Sequence, residues 1–189
     1  MQETAQSSTV DSGTRRRGRL PVLTVAVLAV TVAVTVVAHS RPAVFHALRR
    51  DPHALRSGQW WRLLSPVLVQ ADRPALAAGT FVLVFLVGAF FEWRFGRARW
   101  LLLYLVGAVS GHAIGHLWQP YGAGCSVGGC GLLGGILAWQ LRRGPAPARV
   151  GAVMWLLFAV ADTVFRDIHG IPILAGTLVG LLVMPRPRR

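Results

Sequence analysis

Long apolar runs separated by short polar stretches occupy most of this chain. The first run, residues 20–38, consists almost entirely of Leu, Val, Ala and Thr and carries no charge. A helix that rises 1.5 Å per residue crosses the roughly 30 Å hydrocarbon core of a bilayer over such a length. Because this run is longer than the apolar core of a typical secretory signal peptide, we predict a membrane helix that is retained.

Five further apolar runs predict five more membrane helices, because each is bounded by Arg, Pro or Gly. They cover residues 75–91, 100–117, 125–141, 150–165 and 168–184. Residues 39–73 mix arginines with aromatic and aliphatic side chains, which is typical of a segment that lies at the membrane interface without crossing. The pattern therefore predicts an all-α, polytopic bundle of six transmembrane helices over residues 20–184.

Composition and charge support this interpretation. With 53% hydrophobic and 14% charged residues, the chain is too apolar for a soluble domain of 189 residues. Its net charge of +13 would favour nucleic acid as the partner of a soluble protein. The basic residues are all arginines, however, and they cluster between the apolar runs. We therefore expect the lipid bilayer as a partner, and no nucleic acid.

The arginine clusters also predict an orientation. Residues 1–19, the connections after the second and fourth helices, and residues 185–189 are rich in arginine, and such segments stay on the cytoplasmic side. This predicts a cell-membrane protein with a disordered cytosolic tail over residues 1–19, a basic cytosolic end over residues 185–189, and both termini cytoplasmic. The long first loop, with six arginines on the outer side, is the exception to the rule.

Two polar residues stand out against the apolar background. Ser126 opens the fourth helix in a glycine-rich stretch, and His169 lies near the start of the sixth, so both are predicted at a similar depth. An imidazole within hydrogen-bond reach makes a serine hydroxyl a nucleophile, and free N–H groups at a helix start stabilise an oxyanion. A helix-capping serine beside a structural histidine is the alternative at this point.

Metal binding and disulfide bonding have little support. His112 and His116 are four residues apart on one helix face, but a zinc site needs a third ligand such as His169 or Asp167. Hydrogen bonds to neighbouring helices are the simpler role for both histidines. Cys125 and Cys130 do not form a disulfide framework. We predict neither a metal nor an organic cofactor.

Over roughly residues 58–184 the chain resembles the rhomboid family of intramembrane serine proteases. The resemblance rests on short stretches in the first loop and in four of the predicted helices. These stretches are the Trp-Arg segment 58–66, Gly88 with Glu92 and Gly96, Tyr104 with Gly107 and residues 110–111, residues 124–127 followed by 131–135, and His169 with Ala175, Gly176 and Gly180.

The resemblance implies a six-helix bundle in which Ser126 attacks a peptide bond near a substrate's transmembrane segment. His169 would act as general base and then as general acid. It further implies two groups of supporting residues, one at the oxyanion and one at the membrane interface. The first group is Gly124, Cys125 and Val127, and the second is Trp60, Trp61 and Arg62.

The chain also departs from the family pattern. Val127 stands where the family has the second glycine of its Gly-x-Ser-Gly motif, and residues 73–80 lack the family's His-x-x-x-Asn. Loss of one oxyanion donor lowers the rate by about 10²–10³-fold, so Thr80 or backbone amides are expected to substitute. The alternative is a catalytically inactive rhomboid-like protein that binds transmembrane clients.

Overall fold

The computed structural model describes residues 20–185, which are mostly helical and contain no β-strand. The predictions for residues 1–19 and for the last four residues lie outside this range. The helices are α1 (Val22–Ser40), α2 (Pro42–Leu48), α3 (Pro52–Arg56), α4 (Pro74–Phe95), α5 (Arg97–Trp118), α6 (Ser126–Arg143), α7 (Ala146–Val164) and α8 (Gly170–Val183), with 3₁₀ turns at Trp60–Leu63 and Ser65–Leu68.

The six longest helices coincide with the six predicted runs. Of these, α1, α4, α5 and α7 are long and apolar enough to cross a membrane on length and composition alone. The other two are the glycine-rich α6 and the shorter apolar α8, with 14 residues. The prediction of an all-α membrane bundle is confirmed. Helices α5 and α7 begin three to four residues before the apolar runs, because helical hydrogen bonding continues into the polar boundary.

Helix α6 lies at the centre of the bundle and packs against α4, α5, α7 and α8. Its glycines allow backbone-to-backbone contact on two sides. A Cβ atom on Gly131 would lie 2.2 Å from the Leu103 carbonyl oxygen of α5, and one on Gly134 would lie 2.3 Å from the Ile173 carbonyl oxygen of α8. Small residues permit this close approach between membrane helices. The packing brings the starts of α6 and α8 together.

Glu92, near the end of α4, caps the N-terminus of α1. Its carboxylate accepts hydrogen bonds from the Leu23 and Thr24 N–H groups at 3.1 and 2.8 Å and from the Thr24 hydroxyl at 2.9 Å. Arg97 of α5 donates from Nε at 3.0 Å. The first N–H groups of a helix have no partner within the helix, and a negative charge is favoured there. Glu92 therefore joins α1, α4 and α5.

The segment between α1 and α4 folds into two short helices and two 3₁₀ turns that pack against α1, α5 and α6, and its position at the membrane interface stays a prediction. Arg62 holds the segment together by donating from Nη1 to the carbonyl oxygens of His46 and Arg49 at 2.8 and 2.9 Å. The neighbouring Trp60 and Trp61 are 68% and 58% exposed. The two tryptophans thus face outward, while the guanidinium of Arg62 is directed at the backbone of its own loop.

Candidate active site

Ser126 is the first residue of α6, and the loop before it is fixed by the segment between α1 and α4. The Arg50 N–H donates to the Gly122 carbonyl at 2.8 Å, and the Gly124 N–H donates to the Pro66 carbonyl at 2.9 Å. The Cys125 N–H donates to Gln70 Oε1 at 3.2 Å. Three hydrogen bonds from one segment therefore hold the backbone that leads into Ser126.

The side chain of Arg50 also holds this loop, at its first residue, Gln119. The Arg50 side chain is fully buried and donates to the Gln119 carbonyl oxygen, from Nε at 3.1 Å and also from Nη2. Nη1 donates to His112 Nδ1 at 2.9 Å. Burial lowers the pKa of Arg50 to about 10, so the guanidinium is charged at neutral pH. His112 therefore serves as a hydrogen-bond acceptor inside the bundle. His116 Nδ1 is buried without a partner in residues 20–185.

The structure brings Ser126 and His169 into direct contact. Ser126 Oγ lies 2.9 Å from His169 Nε2, although 43 residues separate the two in sequence. His169 is the N-cap residue of α8, so its position follows from the close packing of α6 on α8. Its side chain is 38% exposed. Water therefore has access to the pair.

A third side chain lies on the far side of the imidazole. Asp167 Oδ1 is 2.7 Å from His169 Nδ1, and it also accepts a hydrogen bond from the His169 backbone N–H at 2.8 Å. From the sequence, Asp167 was expected only as a possible metal ligand. Its position two residues before the histidine was the signal that a carboxylate could reach the imidazole.

Backbone N–H groups at the start of α6 are available to an oxyanion. Those of Ser126 and Val127 donate no hydrogen bond to any group in the described part of the chain. The Gly124 and Cys125 N–H groups are already used. Thr80 is half-buried in α4 and makes no side-chain hydrogen bond within residues 20–185. The proposed role of Thr80 therefore has no contact to support it in this structure.

Gln70 is a further polar side chain whose place at the site was not predicted from the sequence. Its Nε2 donates to Asp72 Oδ2 at 2.5 Å, which leaves Oε1 for the Cys125 N–H. A Cβ atom on Gly124 would lie 3.3 Å from Gln70 Oε1 and 3.5 Å from Ser126 Oγ. The Gln70 amide and the Ser126 hydroxyl therefore flank the same glycine. Nothing in the sequence pairs Gln70 with a loop 55 residues away.

The chain is thus a helical membrane bundle in which a serine at a glycine-rich helix start contacts a histidine. This combination is typical of multi-pass membrane proteins that carry the side chains of a serine hydrolase. The sequence model of the Rhomboid domain matches residues 57–185, more than half of the chain, and the chain therefore belongs to the rhomboid family.

One curated relative is the protein named Rhomboid protease GluP of Bacillus subtilis (strain 168), which is 36% identical over 89 residues. The matched segment covers 47% of this chain and 17% of the relative. The similarity thus supports the family, while most of the relative's length has no counterpart in the match.

Proposed function

We propose that this chain is an intramembrane serine endopeptidase that cleaves transmembrane proteins, with Ser126 as nucleophile and His169 as general base. The observation that carries the proposal is the 2.9 Å contact between Ser126 Oγ and His169 Nε2. A serine that only capped α6 would direct its hydroxyl to the N–H groups of the first turn, and Ser126 makes no such hydrogen bond.

The bond-making and proton-transfer steps involve this pair and water. Ser126 Oγ attacks the carbonyl carbon of the scissile peptide, the π electrons of the carbonyl move to its oxygen, and His169 Nε2 takes the hydroxyl proton. When the carbonyl re-forms, the C–N bond breaks and the amine leaves with that proton. Water then attacks the acyl-enzyme, loses a proton to His169, and releases the acid as Ser126 Oγ takes the proton back.

The oxyanion would be stabilised by the N–H groups of Ser126 and Val127, which lie at the positive end of α6. Both are free of acceptors in the described residues. These amides would replace the side-chain donors that residues 73–80 lack. Each family side-chain donor that these amides do not replace is expected to lower the rate by about 10²–10³-fold.

The same proposal includes the cell membrane as the location, with both termini cytoplasmic. The arginine clusters at the chain ends and in the connections α4–α5 and α6–α7 support this orientation. It places Ser126 and His169 near the outer face. Protease protection of tags at the two termini would check it, since cleavage of either tag from outside intact cells contradicts the orientation.

Cleavage of a single-span substrate in liposomes tests the activity. We expect Ser126→Ala and His169→Ala to abolish cleavage. Ser110→Ala and His39→Ala are the matched controls, because within residues 20–185 Ser110 bonds only to carbonyls of its own helix and His39 lies at the exposed end of α1. Cleavage that survives Ser126→Ala would refute the proposal.

The alternative is a catalytically inactive rhomboid-like protein that binds transmembrane clients. It is favoured by the missing His-x-x-x-Asn and by the occupied Cys125 N–H. A folded wild-type protein that binds a client in liposomes, cleaves nothing and does not react with a fluorophosphonate probe would support it. Client binding should then be unchanged in Ser126→Ala.

A further inference from the structure

We infer that Asp167 is a positioning residue for His169. The site would then be a hydrogen-bonded chain of serine, histidine and aspartate rather than a serine–histidine pair. The inference rests on the proposed function, and it adds a residue to which the family resemblance assigned no role. Two contacts carry it: Ser126 Oγ lies 2.9 Å from His169 Nε2, and Asp167 Oδ1 lies 2.7 Å from His169 Nδ1.

The first consequence is a fixed tautomer. A neutral imidazole carries one proton, and a carboxylate oxygen only accepts hydrogen bonds. Asp167 therefore places the proton on Nδ1 and leaves the lone pair of Nε2 directed at the Ser126 hydroxyl. In the other tautomer, the lone pair of Nδ1 would face Asp167 Oδ1 at 2.7 Å with no proton between the two atoms. Only the first tautomer can accept the serine proton.

The second consequence concerns charge. His169 becomes an imidazolium when it takes the proton of Ser126, and it does so as the N-cap residue of α8. The N-terminus of a helix carries a partial positive charge that disfavours a cation. A carboxylate in contact with Nδ1 offsets this penalty at the moment when the cation forms. Asp167 thus stabilises the charged state without touching substrate.

Asp167 also has a structural use that a test must separate from this role. Its Oδ1 accepts the His169 backbone N–H at 2.8 Å, a local turn that Asp and Asn form equally well. Asp167→Asn keeps an oxygen for the backbone N–H of His169, but it removes the charge and adds an NH₂ donor that can pair with Nδ1 and favour the other tautomer. Asp167→Ala removes both functions. Asp162→Asn is the matched control, because Asp162 lies close by at the end of α7 but has no hydrogen bond to the imidazole.

The first readout is the rate at which a fluorophosphonate probe labels Ser126 in detergent. We expect Asp167→Asn to lower this rate by about 10²–10⁴-fold, and to lower kcat for a single-span substrate with little change in KM. Asp162→Asn should stay within about threefold of wild type. Labelling of Asp167→Asn at the wild-type rate would refute the role of the charge.

The second readout does not depend on activity. Nitrogen-15 NMR of histidine-labelled protein, with His169 assigned by its loss in His169→Gln, should show the proton on Nδ1 in wild type and a mixture of tautomers in Asp167→Ala. An unchanged tautomer in Asp167→Ala would overturn the inference. If wild type failed to label but this tautomer change occurred, the peptidase proposal would fall and the positioning role would stand.

Discussion

At the scale of single residues, Gln70 holds the loop before Ser126 by a hydrogen bond, as Asp167 holds the imidazole of His169. It is 3% exposed and provides the acceptor for the Cys125 N–H. A buried N–H without a partner costs about 1–3 kcal/mol. We therefore predict that Gln70→Leu lowers the free energy of unfolding by about that amount and also slows labelling of Ser126. Thermal unfolding in detergent and the probe rate measure the two effects.

The matched control is Thr80→Val, which removes the hydroxyl proposed from the sequence as an oxyanion donor. Thr80 makes no side-chain hydrogen bond in the part of the chain that is described. We expect Thr80→Val to change neither stability nor labelling. If labelling fell more in Thr80→Val than in Gln70→Leu, the oxyanion role would return to Thr80 and Gln70 would be a structural residue only.

These residues show what the sequence could and could not predict about the site. Ser126 and His169 were identifiable because each is polar, starts a predicted helix and lies beside glycines. Gln70 and Arg50 were not, because their partners lie 55 and 69 residues away and no local pattern encodes such contacts. Arg50 illustrates this most clearly: the sequence placed it only within the interfacial segment 39–73, whereas its side chain is fully buried and bonded to the Gln119 carbonyl and to His112.

At the scale of elements, the contact between α6 and α8 sets the distance between the serine and the histidine. A Cβ atom on Gly134 would lie 2.3 Å from the Ile173 carbonyl oxygen and 2.6 Å from the Thr177 nitrogen. Neither is a flexible side-chain end, so α8 must move. We predict that Gly134→Ala destabilises the protein by about 1–3 kcal/mol and lowers the labelling rate by about 10²-fold, since a small displacement of a catalytic group has that effect.

Gly151→Ala is the control of identical chemistry. Gly151 lies in α7, and a Cβ atom there would meet nothing within 4 Å. We expect wild-type labelling and a stability that is unchanged or higher by up to about 1 kcal/mol. Equal losses in the two variants would mean that helix spacing between α6 and α8 is not what limits the site. Thermal unfolding and the probe rate, measured side by side, decide this.

The helices themselves were the most predictable level of structure. Apolar runs bounded by Arg, Pro or Gly predicted all six long helices, because the bilayer imposes length and composition on every segment that crosses it. The ends were less predictable. An apolar run marks the hydrocarbon region, whereas the hydrogen-bonded helix continues beyond it, as α5 does from Arg97. Which helices would touch was visible only as a concentration of glycines in α5, α6 and α8.

At the scale of the whole molecule, the family match and the structural unit do not coincide. The Rhomboid domain match begins at residue 57, yet α1 and the loop after it complete the site. Arg50 holds the loop before Ser126, and the Thr35 hydroxyl accepts a hydrogen bond from the Gln70 N–H at 3.0 Å. Helix α1 thus supports Gln70, which in turn supports the loop before Ser126. The position of α1 should therefore affect activity at a distance.

Glu92 provides a way to test this dependence. Its carboxylate accepts three hydrogen bonds from the start of α1 and one from Arg97. Glu92→Gln keeps one oxygen and turns an N–H donor toward groups that are themselves donors. We predict a loss of about 1.5–3 kcal/mol in the free energy of unfolding, the value for a hydrogen bond to a charged group. If α1 detaches from α4, the connection between α1 and α2 becomes accessible. Proteolysis there should then be faster, and labelling of Ser126 slower.

Arg97→Gln removes the ion pair with Glu92 and leaves the hydrogen bonds from the start of α1 to Glu92 in place. The Arg97 side chain is 60% exposed, and an ion pair at such a site contributes about 0–1 kcal/mol. We expect this variant to resemble wild type in proteolysis, thermal unfolding and probe rate. Equal effects of the two substitutions would contradict the capping role, because the ion pair is the only contact that both remove. Slow labelling in Glu92→Gln alone would mean that α1, outside the family match, is part of what keeps Ser126 and His169 in register.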